Sequence, residues 1–302
     1  MSDRIVSNVS DTARWVAVYR ARESARPDRL FSDPLAARLA GEHGEAIAAL
    51  APGHMRSGWP MVVRTRLMDD LVLASVRDGC DCVVNLAAGL DTRPYRLPLP
   101  ASLNWIEADL PEMIEEKNRL LAAEKPVCGL HREKVDLTDT TRRADFLDRV
   151  TRASNQVLVI TEGLLLYLGD DAVQSLARDL ASRESIRWWI LEINSPAIQQ
   201  MMQRDMGDHL AQAPLKFAPP DGVAFFETLG WKAVDIHSIV REAVRFRRAP
   251  LFLRLFSLFP EPDPRNLGMR SRWSGVARFE RRGYSTLRAT TGSSEAARRA
   301  GK

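Results

Sequence analysis

Four short stretches of this 302-residue chain hold acids or small residues where they could do chemistry. The run Asn85-Leu-Ala-Ala-Gly-Leu-Asp-Thr-Arg93 follows an apolar stretch. Its small residues Ala87, Ala88 and Gly89 let the backbone come close to a ligand. Asp109 lies 20 residues after Gly89, closing the stretch Trp105-Ile-Glu-Ala-Asp. A carboxylate at that separation can accept hydrogen bonds from both ribose hydroxyls of an adenosine. Asp136 ends a third stretch and can accept from an adenine amino group. Glu162 interrupts the 12-residue apolar run from Val157 to Leu168, where a carboxylate is costly unless it is paired or bonded. Each group also has a plain structural reading: a tight turn, an N-cap for the helix starting at Pro111, a turn acid, or an ion pair with Arg64. Taken together, they point to an adenosine-containing cofactor.

Short strands and helices must position these groups. Before residue 80 the pattern is helical. Asp11 to Arg22 sets Trp15, Val18, Tyr19 and Arg22 on one face, with Asp11 as N-cap. Asp33-Pro34 starts a second helix that ends near Gly41, and Met61 to Arg77 forms a third, ended by Gly79. Residues 51 to 60, with two Pro and two Gly, read as a loop.

From Cys82 the chain alternates. Strands are expected at 82–86, 103–108, 129–135, 156–161 and 186–193, with helices at 111–123, 139–153 and 170–182. Helices at 195–210 and 219–229, then two late strands at 231–237 and 272–282, complete the pattern. This predicts an α/β fold with a doubly wound, mostly parallel sheet, whose ligands bind at the carboxyl ends of the strands. The expected division is a helical cap or lid over 1–79, an α/β core over 80–286 with an insert at about 195–225, and a disordered tail over 287–302.

Composition narrows the function. Charged residues are 27% and hydrophobic residues 45%, an ordinary globular balance that excludes fibrous and disordered classes. The net charge is +4, and eleven arginines fall between Arg241 and Arg282. They are interspersed with acids, so a solvated face is expected rather than a nucleic-acid groove. Cys80, Cys82 and Cys128 are too few for a disulfide framework and have no zinc spacing, so reduced core thiols and no metal are expected. The opening residues show no apolar leader core, and no run is long enough to cross a bilayer. A cytoplasmic protein without a membrane partner is the expectation.

The stretches VVRTRLMDD (62–70), VVNLAAGLDTRPYRL (83–97), WIEADLPEMIEEK (105–117), VDLTD (135–139) and ITEGLLLYL (160–168) resemble the leucine carboxyl methyltransferase family. The chain looks closer to its bacterial branch, which includes tetracenomycin-type polyketide carboxyl methyltransferases. YRARESARPDRLFSDPLAARLAG (19–41) is similar to that branch too. The resemblance implies a class I, Rossmann-like methyltransferase with a seven-stranded sheet, using S-adenosyl-L-methionine. By the same resemblance, Arg64 holds the methionine carboxylate and Ala87, Ala88 and Gly89 lie beside the methionine. Asp109, with Leu110, takes the ribose, Asp136 and Leu137 contact adenine, and Glu162 with Gly163 lies near the amino end. The family usually has Gly where this chain has Ala87, and a methyl group there narrows the backbone approach.

Methyl transfer needs alignment and exclusion of water, and a carboxylate acceptor needs no general base. Tyr167 and His54 are the candidates for the acceptor side, and Arg66 pairs instead with Asp70 at i,i+4. The acceptor pocket is expected from the N-terminal helices, the 51–60 loop and the insert with Met201, Met202, Met206, Phe217, Phe225 and Phe226. The acceptor is expected to be a small molecule. Its alternatives are a non-catalytic cofactor-binding protein and an NAD(P)-dependent oxidoreductase. The missing GxGxxG speaks against the second. A nucleic-acid methyltransferase ranks last.

Overall fold

The computed structural model describes residues 9–51, 53, 56–206, 214–256 and 259–283. Five strands run parallel: β1 (Cys82–Leu86), β2 (Asn104–Asp109), β3 (Gly129–Lys134), β4 (Val157–Thr161) and β5 (Ile186–Asn194). β6 (Trp231–Ser238) and β7 (Ser274–Arg281) finish the sheet, which is ordered β3-β2-β1-β4-β5-β7-β6. β7 lies antiparallel between β5 and β6. The doubly wound, mostly parallel sheet expected from the sequence is therefore the one the chain forms. Strand order reverses between β1 and β4, which opens a crevice at their carboxyl ends.

Period-two alternation sends neighbouring side chains to opposite faces. Val84, Val159, Trp189 and Phe279 pack one way, against α6 (Thr140–Arg152), α7 (Asp170–Ala181) and α9 (Val223–Glu227). Val83, Leu158, Trp188 and Val276 pack the other way, against α3 (Trp59–Arg77) and α10 (Ile239–Arg245). Both faces are covered, which is why these strands read as nearly continuous apolar runs. A third core joins α1 (Val9–Ser24) and α2 (Ala36–Leu50) through Trp15, Tyr19 and Leu39 to Leu90 and Met113.

Several helices depart from the sequence expectation. α1 starts at Val9, so Asp11 is not its N-cap; it sits in the first turn, buried, with His43 Nε2 2.9 Å away. α2 breaks at Gly41 (φ 60°, ψ −176°), as the glycine implies, but resumes and runs on to Leu50. α9 is much shorter than the helix expected over 219–229. Pro219 and Pro220 hold a turn, and Gly222 at φ 51° delays the helix to Val223. α4 (Arg93–Arg96), the 3-10 turn Leu165–Tyr167, α10 and α11 (Leu251–Phe256) carried no strong period and were not anticipated. α5 (Pro111–Leu120) and α8 (Pro196–Met206) lie inside the expected spans. The expected tail at 287–302 lies outside the described residues. No described helix is long and apolar enough to cross a membrane.

Candidate cofactor and active site

At the end of β1 the chain turns sharply. Ala87 (φ 53°) and Gly89 (φ 45°) are both in the left-handed region, which glycine adopts freely and alanine does not. The turn is tied to β2, because the Ala87 N–H donates to the Ala108 carbonyl at 2.8 Å. Asp109 completes the tie. Its Oδ2 accepts the Gly89 N–H at 2.7 Å and its Oδ1 accepts the Leu110 N–H at 2.8 Å. Burial pushes the Asp109 carboxyl up, and the two backbone donors only partly offset this. Each oxygen keeps a lone pair for a further donor. Leu110 beside it is 49% exposed, an apolar surface at the crevice rim.

Asp136 follows β3 and is half-buried. It accepts from the Thr138 N–H at 2.9 Å and the Thr138 hydroxyl at 2.6 Å, which hold its carboxyl below the usual range. Leu137 packs at the edge of the first core, and its carbonyl accepts from Arg143 at 3.1 Å.

The carboxyl ends of β4 and β5 meet α3 and α4. Glu162 Oε1 accepts from Arg64 Nε at 3.0 Å, and its Oε2 from Arg93 Nη1 at 2.8 Å. These guanidiniums hold the Glu162 carboxyl down against its burial. Glu192, on β5, accepts the Gly163 N–H at 2.7 Å, while Arg64 Nη1 lies 3.3 Å from its other oxygen. Gly163 makes that approach at φ 69°. Tyr167 Oη lies 3.5 Å from the Thr12 hydroxyl, which ties α1 to this end of the site, and burial raises the phenol.

Arg64 thus has two protein carboxylates around it, the ion pair with Glu162 that the sequence left open. Arg66 pairs with Asp70 at 2.9 Å as expected. Sequence reasoning missed Glu192 and the arginines behind it. The signal was present: Glu192 interrupts Ile-Arg-Trp-Trp-Ile-Leu-Glu-Ile just as Glu162 interrupts its own run. Behind them, Arg93 binds Asp91 at 2.6 Å and Asp69 at 2.7 Å, and Arg96 forks onto Asp69 at 2.6 and 2.8 Å.

Other expected site residues lie elsewhere. Phe217, Phe225 and Phe226 form a ring cluster with centroids 5.1–6.0 Å apart, and Phe226 also meets Trp189 at 5.3 Å. They fill the core under the sheet rather than lining an acceptor pocket, because the short α9 turns its apolar side onto β5 and β7. Trp15 donates to the Tyr19 hydroxyl at 2.8 Å, and both are buried between the N-terminal helices. His54 lies outside the described residues. The C-terminal arginines are largely paired: Arg248 with Glu23 at 2.7 Å, Arg265 with Glu227 at 3.1 Å and Arg278 with Asp235 at 2.7 Å. All three cysteines are free and buried. Among the described residues no cluster of His, Cys, Asp or Glu could hold a metal ion.

Comparison with known proteins places the chain in a family. The profile of the leucine carboxyl methyltransferase family matches residues 13–181. A candidate S-adenosyl-L-methionine-dependent methyltransferase of Parafrankia is 35% identical over 59% of this chain; the matched part spans 60% of that relative's length. Proteins described the same way from Frankia alni and Streptomyces coelicolor are 31% and 30% identical, over 75% and 80% of this chain and 84% and 89% of theirs. Among solved structures, a DUF574 family protein from Streptomyces avermitilis superposes with TM-score 0.53 at 17% identity, over 88% of this chain and 96% of that one. A candidate methyltransferase from Thermobifida fusca gives 0.52 at 15% identity, over 87% and 94%. These two likenesses concern the fold. Sheet order and relatives together define a class I methyltransferase that uses S-adenosyl-L-methionine. More narrowly, the chain belongs to the leucine carboxyl methyltransferase family.

Proposed function

We propose that the protein moves the methyl group of S-adenosyl-L-methionine to a carboxylate oxygen of a small molecule, in the manner of the tetracenomycin-type branch its motifs resemble. The observation that carries this reading is the set of groups at the strand ends. Asp109 is joined to the Gly89 turn, and Glu162 and Glu192 are gathered on Arg64.

The residues present fit the cofactor. Glu192 Oε2 is buried without a hydrogen-bond partner among the described residues, so the site has an acceptor left over for a cationic ligand. Asp109 retains acceptor capacity for ribose hydroxyls, and the turn, with Ala87 and Gly89 half-buried and Ala88 buried, would offer close backbone approach. Asp136 and Leu137 would flank the adenine, Leu110 would cover the ribose, and Glu162 with Gly163 would take the amino end. Arg64 would take the carboxylate through guanidinium N–H groups not directed at Glu162 or Glu192.

When bound, the cofactor supplies an electrophilic methyl group on a positively charged sulfur. The chain's own work is to align and to exclude water. Arg64, locked by two carboxylates, fixes one end of the site. The Asp109 bridge fixes the other by tying the end of β1 to the end of β2. α1 and α2 would act as the lid, with Tyr167, tied to Thr12 of α1, toward the acceptor. A carboxylate acceptor is already ionised at neutral pH, so proton removal is not required. The family's description as carboxyl methyltransferases supports an acid over a phenol.

The test is incubation of the purified chain with methyl-labelled S-adenosyl-L-methionine and a panel of carboxylic acids and phenols. Label released from the product by mild alkali marks a methyl ester and supports the reading. Alkali-stable label on phenols overturns the carboxylate assignment. Absence of S-adenosylhomocysteine binding by calorimetry overturns the site.

A further inference from the structure

The buried charges behind the site do not cancel. A ladder of ion pairs runs from the N-terminal helices to the crevice. Arg20 and Arg96 meet Asp33 at 3.2 and 3.8 Å, and Arg96 forks onto Asp69. Asp69 shares Arg93, which also holds Asp91 and Glu162. Glu162 shares Arg64, and Arg64 reaches Glu192. Among the described residues the ladder holds five carboxylates and four guanidiniums. The neighbouring group is balanced: Glu107 lies between Lys117 and Arg132, and Asp109 stands nearby in the field of Lys117. The ladder is therefore one positive charge short.

The shortfall falls on Glu192. The other four carboxylates each lie within 3.2 Å of an arginine nitrogen, whereas Glu192 has one at 3.3 Å. Among the described residues its Oε1 takes the neutral Gly163 N–H alone, and its Oε2, 3.3 Å from Arg64 Nη1, has no hydrogen bond. Its side chain is 8% exposed. The groups facing it are Arg64 from α3, Arg93 from α4, Glu162 at the end of β4 and the Tyr167 phenol from the 3-10 turn. Burial and Glu162 push its carboxyl up, and Arg64 only partly opposes them. A buried, under-compensated carboxylate takes up positive charge from whatever source is present.

Resting on the cofactor site proposed above, we infer that Glu192 is the specificity residue by which this site distinguishes the charged methyl donor from its neutral product. S-adenosyl-L-methionine carries one net positive charge at neutral pH, from its ammonium and sulfonium against its carboxylate. S-adenosylhomocysteine carries none. The donor supplies the charge the ladder lacks, and Glu192 stays ionised. Once the methyl group has left, that charge is gone, and Glu192 takes a proton from solvent instead. Donor and product are then bound with different proton counts, and the preference for donor grows with pH.

The experiment is calorimetric titration of S-adenosyl-L-methionine and of S-adenosylhomocysteine into the full chain, at two pH values. It uses two buffers of different ionisation enthalpy and repeats every titration with Glu192→Gln. The expected result in the native protein is greater proton uptake with the product than with the donor. The donor-to-product affinity ratio should rise by up to about tenfold per pH unit between the Glu192 pKa in the donor complex and that in the product complex, and level off above the latter. Glu192→Gln keeps the acceptor for Gly163, removes the difference in proton uptake and flattens the ratio with pH. Equal proton uptake with the two ligands in the native protein overturns the inference, whatever the variant does. An unchanged pH-dependent ratio in a folded Glu192→Gln protein moves the role to another group and also overturns it. If neither ligand binds the native protein, the cofactor site itself is misplaced and the inference falls with it.

Discussion

The carboxylate of Glu107 is the most exacting point in β2, and its removal has a calculable consequence. Glu107 is fully buried, with Lys117 Nζ at 2.8 Å and Arg132 Nε at 2.7 Å. Lys117 is itself 0% exposed, so Glu107→Gln leaves an ammonium in the interior facing a neutral amide. Breaking a buried ion pair from one side costs about 3–5 kcal/mol, far more than the pair contributes beyond an apolar substitute. For a chain of this size, about 2 °C of melting temperature follows each kcal/mol, so the variant should melt ~6–10 °C lower.

The pH dependence has a definite sign. Burial, the largest influence, holds the Lys117 pKa below its ordinary value of 10.5, with Glu107 pulling it back up. A lowered lysine pKa means that the folded state gives up its proton before the unfolded chain does. The ammonium therefore weakens the fold below the folded pKa, and that penalty fades as pH rises toward 10.5. Glu107→Gln lowers the pKa further, so its deficit relative to the native protein should be full at neutral pH and shrink in alkaline buffer. Adding Lys117→Met should recover much of the loss. The assay is thermal and urea unfolding followed by circular dichroism from neutral to alkaline pH. A deficit under about 1 kcal/mol at neutral pH, or one that grows with pH, would refute the reasoning.

Asp109→Asn replaces one of two accepting oxygens with a donor, so the Gly89 or Leu110 N–H loses its partner as well as any ribose contact. S-adenosylhomocysteine affinity should fall about 10- to 100-fold, from the loss of about 1.5–3 kcal/mol per charge-assisted bond, and calorimetry reads it directly. Ala87→Gly should leave the protein equally stable or up to about 1 kcal/mol more stable, because Ala87 stands at φ 53°. A drop in the urea midpoint would contradict this. Burial pushes the Cys80, Cys82 and Cys128 thiols up to about 12, 11 and 11, so the native protein should resist alkylation at pH 8 while the urea-unfolded chain reacts quickly.

Much of the sheet was legible before folding was considered. β1 matches the expected strand at both ends, and β2 to β5 shift by a residue or so, because buried strands are local runs of apolar, β-branched and aromatic residues. The strand-end acids were equally legible, since an acid in an apolar run stands out by cost alone. Helices read less well where their faces carry mixed residues. The second half of α2 and all of α10 were invisible for this reason, and α9 was overextended across Pro219 and Pro220. The aromatic residues of the insert show the same limit. Composition cannot say whether Phe217 and Phe226 face a ligand or the underside of the sheet, and they face the sheet.

By itself, then, the sequence determined the alternation of strands and helices, the reversal of strand order this implies, and the presence of Asp109 and Glu162 at strand ends. It also carried the motifs of the family. Only the tertiary structure decided who pairs with whom. Arg64 and Glu162 are 98 residues apart in the chain, and they meet because β4 lies next to β1 and under the start of α3. Glu192 enters the site because β5 is the next strand over, with Gly163 turning its N–H toward it. Strand propensity is a local property of side chains, whereas the balance of buried charge depends on which distant segments the sheet brings together. That balance, five carboxylates to four guanidiniums among the described residues, emerges only when the whole ladder is assembled.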